Sequence, residues 1–280
     1  MSTKKFRLAL LQLAVSANKG RNLGRASKNI KDVASKGAQI VCLPEDFSVP
    51  YDTQHLSKHA ESIPGETSEM LSLSAKENQV YLVGGTITES VNGKLYNTCF
   101  VYGPDGSMLA KHRKIHLFDI DIPGKITFRE SDFFTAGDRP TTFDTPFCKV
   151  GVGICFDIRS ALLADIYAQL GCSLLVYPGV PSMASGPDHC GLHSRSRALD
   201  NQVYVACVSP ARDKTASFVA YGHSLLVDPS GTVLRSAATG EEVVLAEVDL
   251  DHLALVRDQT PVDKRGDVYK VVSCKDKTIT

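Results

Sequence analysis

Short apolar segments alternate with amphipathic segments along the whole chain. Apolar runs rich in Val, Ile, Leu and Tyr indicate buried strands, and apolar positions that repeat with the helical period indicate helices. Strands are predicted over Phe6–Val15, Ala38–Leu43, Val80–Ile87, Thr98–Gly103, Lys149–Cys155, Ser173–Tyr177, Val203–Val208, His223–Asp228 and Val243–Val248. Helices are predicted over Asn22–Ser35, Thr67–Glu77, Ala161–Leu170 and Asp188–Asn201. This alternation favours an α/β protein.

Two segments of the chain share one pattern. Gly37–Pro44 and Gly171–Pro178 each contain a glycine, two spacer residues, a buried strand and a closing proline, and each follows a strand–helix pair. The pattern predicts two β-α-β units with no linker beside either. We therefore expect a single domain over 1–280 with two sheets, helices on the outer faces and functional loops at the carboxyl ends of the strands. Residues 250–280 are a possible C-terminal arm.

Composition and charge narrow the possible partners. The 280 residues are 43% hydrophobic, enough for a sizeable core, and 31 Lys and Arg balance 31 Asp and Glu. A neutral chain has no long-range field to collect nucleic acid or an anionic membrane. The start of the chain lacks a signal peptide pattern, and the uncharged stretch Ile166–Pro187 is interrupted by Pro and Gly. Eight cysteines without a CxxC pair favour reduced thiols, so we expect a cytoplasmic protein with no membrane or nucleic-acid partner.

The segment Lys149–Arg159 is the most informative one for chemistry. An apolar strand with two glycines ends at Cys155, and a helical pattern follows. A thiol on a strand-to-helix turn lies near backbone N–H groups and the positive end of a helix dipole, which favour a thiolate and can stabilise an oxyanion. A buried structural cysteine is the alternative.

Two other positions carry candidate chemistry. Glu45 follows the strand Ala38–Leu43 and would lie level with Cys155 if the two β-α-β units pair, where a desolvated carboxylate could act as a general base. Lys114, beside apolar Ile115, could stabilise an oxyanion. The alternatives are a solvated turn carboxylate and a basic surface patch.

A metal site is a further alternative. His189 and His193 are four residues apart on a predicted helix and could offer two nitrogens to a metal ion. Such a site needs a third ligand and commonly an intervening Glu, and neither is evident here. We therefore expect no metal and no cofactor.

Four segments, in this order, resemble the carbon–nitrogen hydrolases of the nitrilase superfamily. They are Leu43–Glu45, His112–Phe118, Phe128–Glu130 and Gly153–Arg159. Further segments resemble the omega-amidase branch: Lys94–Thr98, His112–Asp121 with Ile122–Thr127, Ile166–Gln169, Asp200–Val205 and Ser209–Arg212. The resemblance covers nearly the whole chain, and it implies a four-layer α-β-β-α sandwich, in agreement with the two predicted sheets.

The resemblance also assigns roles to residues. It makes Cys155 the nucleophile, Glu45 the general base, Lys114 the cation that stabilises the oxyanion and Glu130 a supporting carboxylate, and the backbone N–H of Phe156 is a second oxyanion donor. The implied reaction is hydrolysis of an amide through a thioester, without a cofactor. The implied substrate is the terminal amide of a short dicarboxylate monoamide of the 2-oxoglutaramate or 2-oxosuccinamate type. Members of the superfamily commonly oligomerise, so we expect a homo-oligomer, with a dimer favoured.

The chain departs from the family pattern around the expected substrate pocket. Phe156 replaces a tyrosine, Asp46 stands where omega-amidases more often have Cys, and Cys190 stands where a tryptophan is usual. Ser160–Leu162 and Val180–Met183 also differ from the usual residues. Residues expected to line the pocket are Asp46, Tyr51, His189 and Cys190. These departures leave open a different amide or carbamoyl substrate, or a binding protein on the same fold that has lost catalysis.

Overall fold

The structure is a computed structural model that describes residues 4–124, 126–183, 186–262, 267–268 and 271. The strands in this part of the chain are β1 (Lys5–Gln12), β2 (Ile40–Cys42), β3 (Tyr81–Val83), β4 (Ile87–Val91), β5 (Lys94–Tyr102), β6 (Met108–Arg113), β7 (Asp119–Ile122), β8 (Ile126–Arg129), β9 (Thr141–Asp144), β10 (Lys149–Val152), β11 (Cys172–Pro178), β12 (Tyr204–Val208), β13 (Leu225–Val227), β14 (Val233–Ser236) and β15 (Glu242–Asp249). The α-helices are α1 (Lys19–Ser35), α2 (Thr53–Lys58), α3 (Glu66–Asn78), α4 (Ala161–Gln169), α5 (Ser194–Asn201) and α6 (Leu250–Gln259). Short 3₁₀ turns span Glu130–Asp132 and Cys155–Arg159, and a π-helical segment spans Pro187–His193.

Two mixed sheets carry most of the strands. The first sheet has the order β15-β1-β2-β3-β5-β4, and β6 also pairs with β5. The second has the order β14-β13-β12-β11-β10-β9. In each sheet the three central strands are parallel: β1, β2 and β3 in the first, and β10, β11 and β12 in the second. Parallel strands end at the same edge of a sheet, so the loops after β2 and after β10 and β11 can meet.

The two sheets face each other across an apolar core. Leu8 and Ile40 from the first sheet and Val150 and Leu174 from the second belong to this one buried cluster. A second cluster joins the outer face of the first sheet to α1 and α3, and a third joins the outer face of the second sheet to α4 and α5. The layers are therefore helix, sheet, sheet and helix, which confirms the four-layer α-β-β-α sandwich.

The predicted β-α-β repeat is present. The chain runs from β1 through α1 to the parallel strand β2, and from β10 through α4 to the parallel strand β11. Gly37 and Gly171 follow the two helices with φ of 84° and 87°. A residue with a side chain adopts this left-handed conformation only at a cost, so glycine is the residue that ends these helices and turns the chain back to the sheet.

The sequence pattern missed several elements. Strand β6 is not among the predicted strands, because His112 is its one fully buried residue and charged residues alternate along it. The small sheet of β7 and β8, and helix α2, were also not predicted. Of the possible C-terminal arm, residues 250–259 form α6, whereas 263–266, 269–270 and 272–280 lie outside the described residues. None of the helices that the structure describes is long and apolar enough to cross a membrane.

The two glycines before Cys155 allow aromatic rings to pack on β10. A Cβ atom at Gly151 would lie 2.8 Å from the Tyr167 ring, and one at Gly153 would lie 2.5 Å from the Tyr177 ring. Both tyrosines are fully buried. The glycines therefore belong to the packing between the second sheet and its helices, which fixes the strand that ends at the cysteine.

We expect Gly153→Ala to lower the free energy of unfolding by about 1–3 kcal/mol, because the added methyl group overpacks a core that cannot relax easily. The matched control is Gly24→Ala on the exposed face of α1, where a Cβ meets no atom within 4 Å. Alanine in a helix is favoured over glycine, so this control should gain about 0.5–1 kcal/mol. Urea denaturation measures both changes, and equal effects at the two positions would contradict the packing argument.

Candidate active site

The structure brings together the four residues to which catalytic roles were assigned. Glu45 follows β2, Lys114 follows β6, Glu130 opens a 3₁₀ turn after β8, and Cys155 follows β10. Glu45 and Glu130 are fully buried, Lys114 is 1% exposed and Cys155 is 7% exposed. Of these four residues, Cys155 is therefore the one that lines the cleft.

The ammonium group of Lys114 joins the two carboxylates. Its Nζ lies 2.9 Å from Oε1 of Glu45 and 2.8 Å from Oε1 of Glu130. Burial alone would lower the pKa of Lys114, but the charges of Glu130 and Glu45 outweigh it and raise that pKa well above its usual range. Lys114 is therefore a permanent cation at the base of the cleft.

Each carboxylate also accepts two hydrogen bonds from neutral donors. Glu45 accepts hydrogen bonds from Nδ2 of Asn97 at 2.7 Å and from the backbone N–H of Val180 at 2.7 Å. Glu130 accepts from the hydroxyl of Tyr51 at 2.6 Å and from the backbone N–H of Phe118 at 2.5 Å. The sequence does not identify Asn97 or Val180 as these donors, because their roles depend on how β5 and the loop after β11 pack beside Glu45.

Cys155 adopts a left-handed backbone conformation at the turn. Its φ is 45°, and the residues that follow it form the 3₁₀ turn Cys155–Arg159. Helix α4 begins only at Ala161, where the hydroxyl of Ser160 caps it by accepting from the N–H of Leu163. The thiol therefore lies on a turn between a strand and a helix, as the sequence predicts, but the turn separates it from the first residue of α4.

Electrostatics keep the thiol protonated. Burial, and after it the charge of Glu45, raises the pKa of the Cys155 thiol well above its usual range, although Lys114 opposes the shift. The resting site therefore opposes the thiolate that the strand-to-helix turn was expected to favour. Burial also raises the pKa of Glu45, and its carboxylate lies within hydrogen-bonding reach of the thiol. A base with a raised pKa beside a neutral thiol is suited to removing the proton during attack.

The cleft in front of the thiol has an empty volume of about 310 Å³, open solvent included. Tyr51, one of the expected pocket residues, lines this cleft, and so does Phe156. Arg159, which the sequence analysis did not single out, also lines it, with its guanidinium 5.4 Å from the centre of the Phe156 ring. Its place four residues after the nucleophile in a tight turn is the signal that could have found it. The remaining lining residues are Phe118, Val180, Pro181 and Ser182.

Asp46 lines a neighbouring cavity rather than the cleft in front of the thiol. This cavity, of about 430 Å³ with open solvent, shares Tyr51 and Val180 with the cleft. Asp46 is 2% exposed, and its Oδ2 has no hydrogen-bond partner among the described residues. Burial, and after it the charge of Glu45, raises the pKa of Asp46 well above its usual range.

Of the other two expected pocket residues, the structure locates one side chain, that of Cys190, and it lies away from the cleft. Cys190 is 1% exposed and lies in the core beneath the second sheet, with its Sγ 3.5 Å from Sγ of Cys207. The expectation that Cys190 lines the substrate pocket is therefore not met, because the thiol packs inward on β12. The side chain of His189 lies outside the described residues. Among the residues that the structure does describe, no group of three or more His, Cys, Asp or Glu could hold a metal ion.

Comparison with known proteins places this geometry in a family. The family profile described as carbon-nitrogen hydrolase matches residues 7–258. The chain is 57% identical over 274 residues to omega-amidase NIT2 of Xenopus tropicalis, covering 97% of this chain and 99% of that protein. It is also 57% identical over 277 residues to omega-amidase NIT2 of Mus musculus, covering 98% and 100%.

A solved structure supports the same assignment. The crystal structure of Saccharomyces cerevisiae Nit3, a member of branch 10 of the nitrilase superfamily, is similar with a TM-score of 0.87 and 39% sequence identity. The similarity covers 94% of this chain and 96% of that one. The chain therefore belongs to the carbon-nitrogen hydrolase family, as an amidase of the omega-amidase branch of the nitrilase superfamily.

Proposed function

We propose that the chain hydrolyses the terminal amide of short dicarboxylate monoamides, of the 2-oxoglutaramate and 2-oxosuccinamate type, through a thioester on Cys155. The observation that carries the proposal is the buried Lys114 ammonium held between Glu45 and Glu130 beside the thiol. The names of the relatives support the choice of an omega-amide, and the cationic Arg159 in the cleft supports an anionic substrate.

The acylation step uses Glu45 as the base. Glu45 takes the thiol proton while Sγ of Cys155 attacks the amide carbonyl carbon, so that the carbonyl oxygen becomes an oxyanion. Lys114 spends two of its three N–H groups on the carboxylates among the described residues, which leaves the third for the oxyanion. The backbone N–H of Phe156 is the second donor. Protonated Glu45 then gives its proton to the leaving nitrogen, and ammonia departs.

The deacylation step reverses these roles. Water enters the position that ammonia has left, and Glu45 removes its proton as the oxygen attacks the thioester carbon. The same donors stabilise the second oxyanion. When that intermediate collapses, the carbon–sulfur bond breaks, the sulfur takes the proton from Glu45, and the carboxylic acid product and the neutral thiol are regenerated. Glu130 touches neither reacting atom in this scheme and holds Lys114 in place.

The far end of the substrate needs a cation of its own, since Lys114 is engaged by the two glutamates. The guanidinium of Arg159 lines the cleft and forms no ion pair with a described residue. A guanidinium fits a carboxylate with two parallel hydrogen bonds. We therefore assign binding of the distal carboxylate to Arg159.

We also propose that the protein works in the cytoplasm and as a homodimer. The reaction needs a reduced thiol, which a reducing compartment maintains. Leu162 on α4 and Leu199 on α5 are 62% and 55% exposed on neighbouring helices, and an interface between copies would bury such apolar surface.

Replacing the nucleophile tests the mechanism. We expect Cys155→Ala to lower ammonia release from 2-oxoglutaramate by at least about a thousandfold, because no other group can form the thioester. The matched control is Cys148→Ala, a half-buried thiol outside the cleft, which should keep its activity. Retained turnover in Cys155→Ala would contradict the proposal, and an inactive wild-type protein would favour a binding protein that has lost catalysis.

Replacing Arg159 tests the substrate class. We expect Arg159→Gln to raise KM for glutaramate about 10- to 100-fold, because a charge-assisted hydrogen bond to a carboxylate is lost, and to change kcat little. Butyramide, which has the reacting amide but no carboxylate, serves as the control substrate, and its kcat/KM should be the same in both proteins. An equal loss of kcat/KM for the two substrates would show that Arg159 does not bind the distal carboxylate.

The pH profile tests the state of Asp46. Its raised pKa keeps this carboxyl neutral to a higher pH than an ordinary aspartate, and above that pKa it adds a negative charge beside Glu45. The added charge repels an anionic substrate and makes the thiol harder to deprotonate. Wild-type kcat/KM for glutaramate should therefore fall as the pH rises through the pKa of Asp46.

Asp46→Asn is neutral at every pH, so its kcat/KM should exceed that of the wild type about tenfold above the pKa of Asp46 and match it below that pKa. The control is Asp213→Asn, at the rim of the same cavity, where an exposed carboxylate is already ionised. This control should leave the shape of the profile unchanged. Identical alkaline limbs for wild type and Asp46→Asn would refute the role given to Asp46.

A further inference from the structure

The buried carboxylate of Asp157 lies between the two segments that carry the catalytic lysine and the catalytic cysteine. Asp157 is two residues after Cys155, and it is fully buried. Its partners include the side chains of His112 and His116, which are the residues two before and two after Lys114. No step of the proposed reaction uses Asp157.

Four hydrogen bonds saturate this carboxylate. Its Oδ1 accepts from the backbone N–H of His116 at 2.8 Å and from Nδ1 of the same residue at 2.7 Å. Its Oδ2 accepts from Nε2 of His112 at 3.0 Å and from the backbone N–H of Ile154 at 2.9 Å. Two donors therefore come from the side chains that flank Lys114, one from the backbone beside it, and one from the backbone before Cys155.

The carboxylate also fixes which histidine nitrogens carry hydrogen. Burial alone would raise the pKa of Asp157, but the hydrogen bonds from His112 and His116 outweigh it and hold that pKa well below its usual range. An ionised carboxylate can only accept, so Nε2 of His112 and Nδ1 of His116 are both donors. The other ring nitrogen of His112 faces the hydroxyl of Thr141 at 3.1 Å.

We propose that Asp157 is a positioning residue that holds the Lys114 segment in register with the Cys155 turn through His112 and His116. The proposal rests on the function proposed above, because it assigns Asp157 a role in presenting those two catalytic side chains to each other. Cys155 and Lys114 come from different sheets, and the bonds to Asp157 are direct polar links between the turn of one and the strand end of the other.

This link sets the positions of the Cys155 thiol and the Lys114 ammonium relative to the reacting carbonyl. The turn holds Cys155 in a left-handed conformation, and the bond from Ile154 N–H to Asp157 closes that turn across the cysteine. If the link is weakened, the thiol and the ammonium still exist but lie at altered distances from the reacting carbonyl. A misplacement of about 1 Å can cost about a hundredfold in rate. The loss should therefore fall on kcat rather than on KM.

The first test is Asp157→Asn in the full-length chain. The amide keeps the shape but replaces one acceptor oxygen with an N–H₂ group that faces two donors. We expect kcat for glutaramate to fall about a hundredfold with KM changed less than about threefold. Alkylation of Cys155 by iodoacetamide, followed by mass spectrometry, should slow in parallel, while Cys148 in the same sample is labelled at the wild-type rate.

The second test compares two variants of His116, whose side chain is 39% exposed and so tolerates replacement. His116→Asn offers an N–H near the position of Nδ1 and should keep kcat within about threefold of the wild type. His116→Ala removes that donor and should lower kcat about tenfold. His252→Ala is the matched control. His252 lies on α6, away from the cleft, is equally exposed, and has its Nε2 3.4 Å from Oδ2 of Asp228. This variant should leave kcat unchanged.

The outcomes separate this proposal from the proposed function. If the wild-type protein does not hydrolyse glutaramate, the proposed function fails, and the alkylation rates of Cys155 still decide whether Asp157 positions the thiol. If Asp157→Asn keeps the wild-type kcat and alkylation rate, or if His116→Asn is as impaired as His116→Ala, the positioning role is overturned. If Asp157→Asn does not fold, the comparison of the two His116 variants with His252→Ala decides the question.

Discussion

The ammonium of Lys114, shared by the carboxylates of Glu45 and Glu130, is the interaction on which the rest of the structure depends. All three groups are essentially inaccessible to water. Removing an ion from water costs several kcal/mol even after the protein has relaxed, and mutual attraction offsets that cost only when the remaining hydrogen-bonding capacity is also satisfied. The fold must therefore deliver further donors to this point, and it does so with Asn97, Tyr51 and two backbone N–H groups.

The requirement explains why two sheets are packed face to face. Glu45 and Lys114 follow strands of the first sheet, whereas Cys155 and the N–H of Val180 follow the adjacent parallel strands β10 and β11 of the second. Because parallel strands end at one edge, a single contact between the sheets aligns all these positions at once. The apolar core between the sheets, with Ile40 and Leu174 among its members, thus sets the distances in the polar site.

The sequence predicted the parts of this arrangement that depend on local pattern. The β-α-β repeat placed Glu45 and Cys155 at strand ends, since strand and helix periods are visible in a single chain segment. Strand β6 is not predicted because its charged residues interrupt the alternation of apolar and polar positions, although the strand leads directly to Lys114. Its apolar neighbour Ile115 made that lysine a candidate, and the resemblance to the family gave it a role.

The errors have a different origin. Cys190 was assigned to the pocket from the residue usual at its position, but side-chain direction depends on how the π-helical segment packs, and the thiol faces Cys207. The expectation that the turn favours a thiolate left out burial of the thiol and the charge of Glu45, which raise the pKa of Cys155. Asp157 has no local signal, because its partners His112 and His116 are distant in sequence.

The charge balance of the site explains why the thiol is neutral at rest and loses its proton only during attack. Two carboxylates and one ammonium already give the buried cluster one net negative charge, and a thiolate would add a second in the same desolvated volume. When Glu45 takes the thiol proton during attack, its own charge disappears as the oxyanion forms. One negative charge is thereby moved from one oxygen to another, both beside the same ammonium. The total charge near Lys114 is constant through the step, so the donors that stabilise the resting site also stabilise the transition state without reorganising.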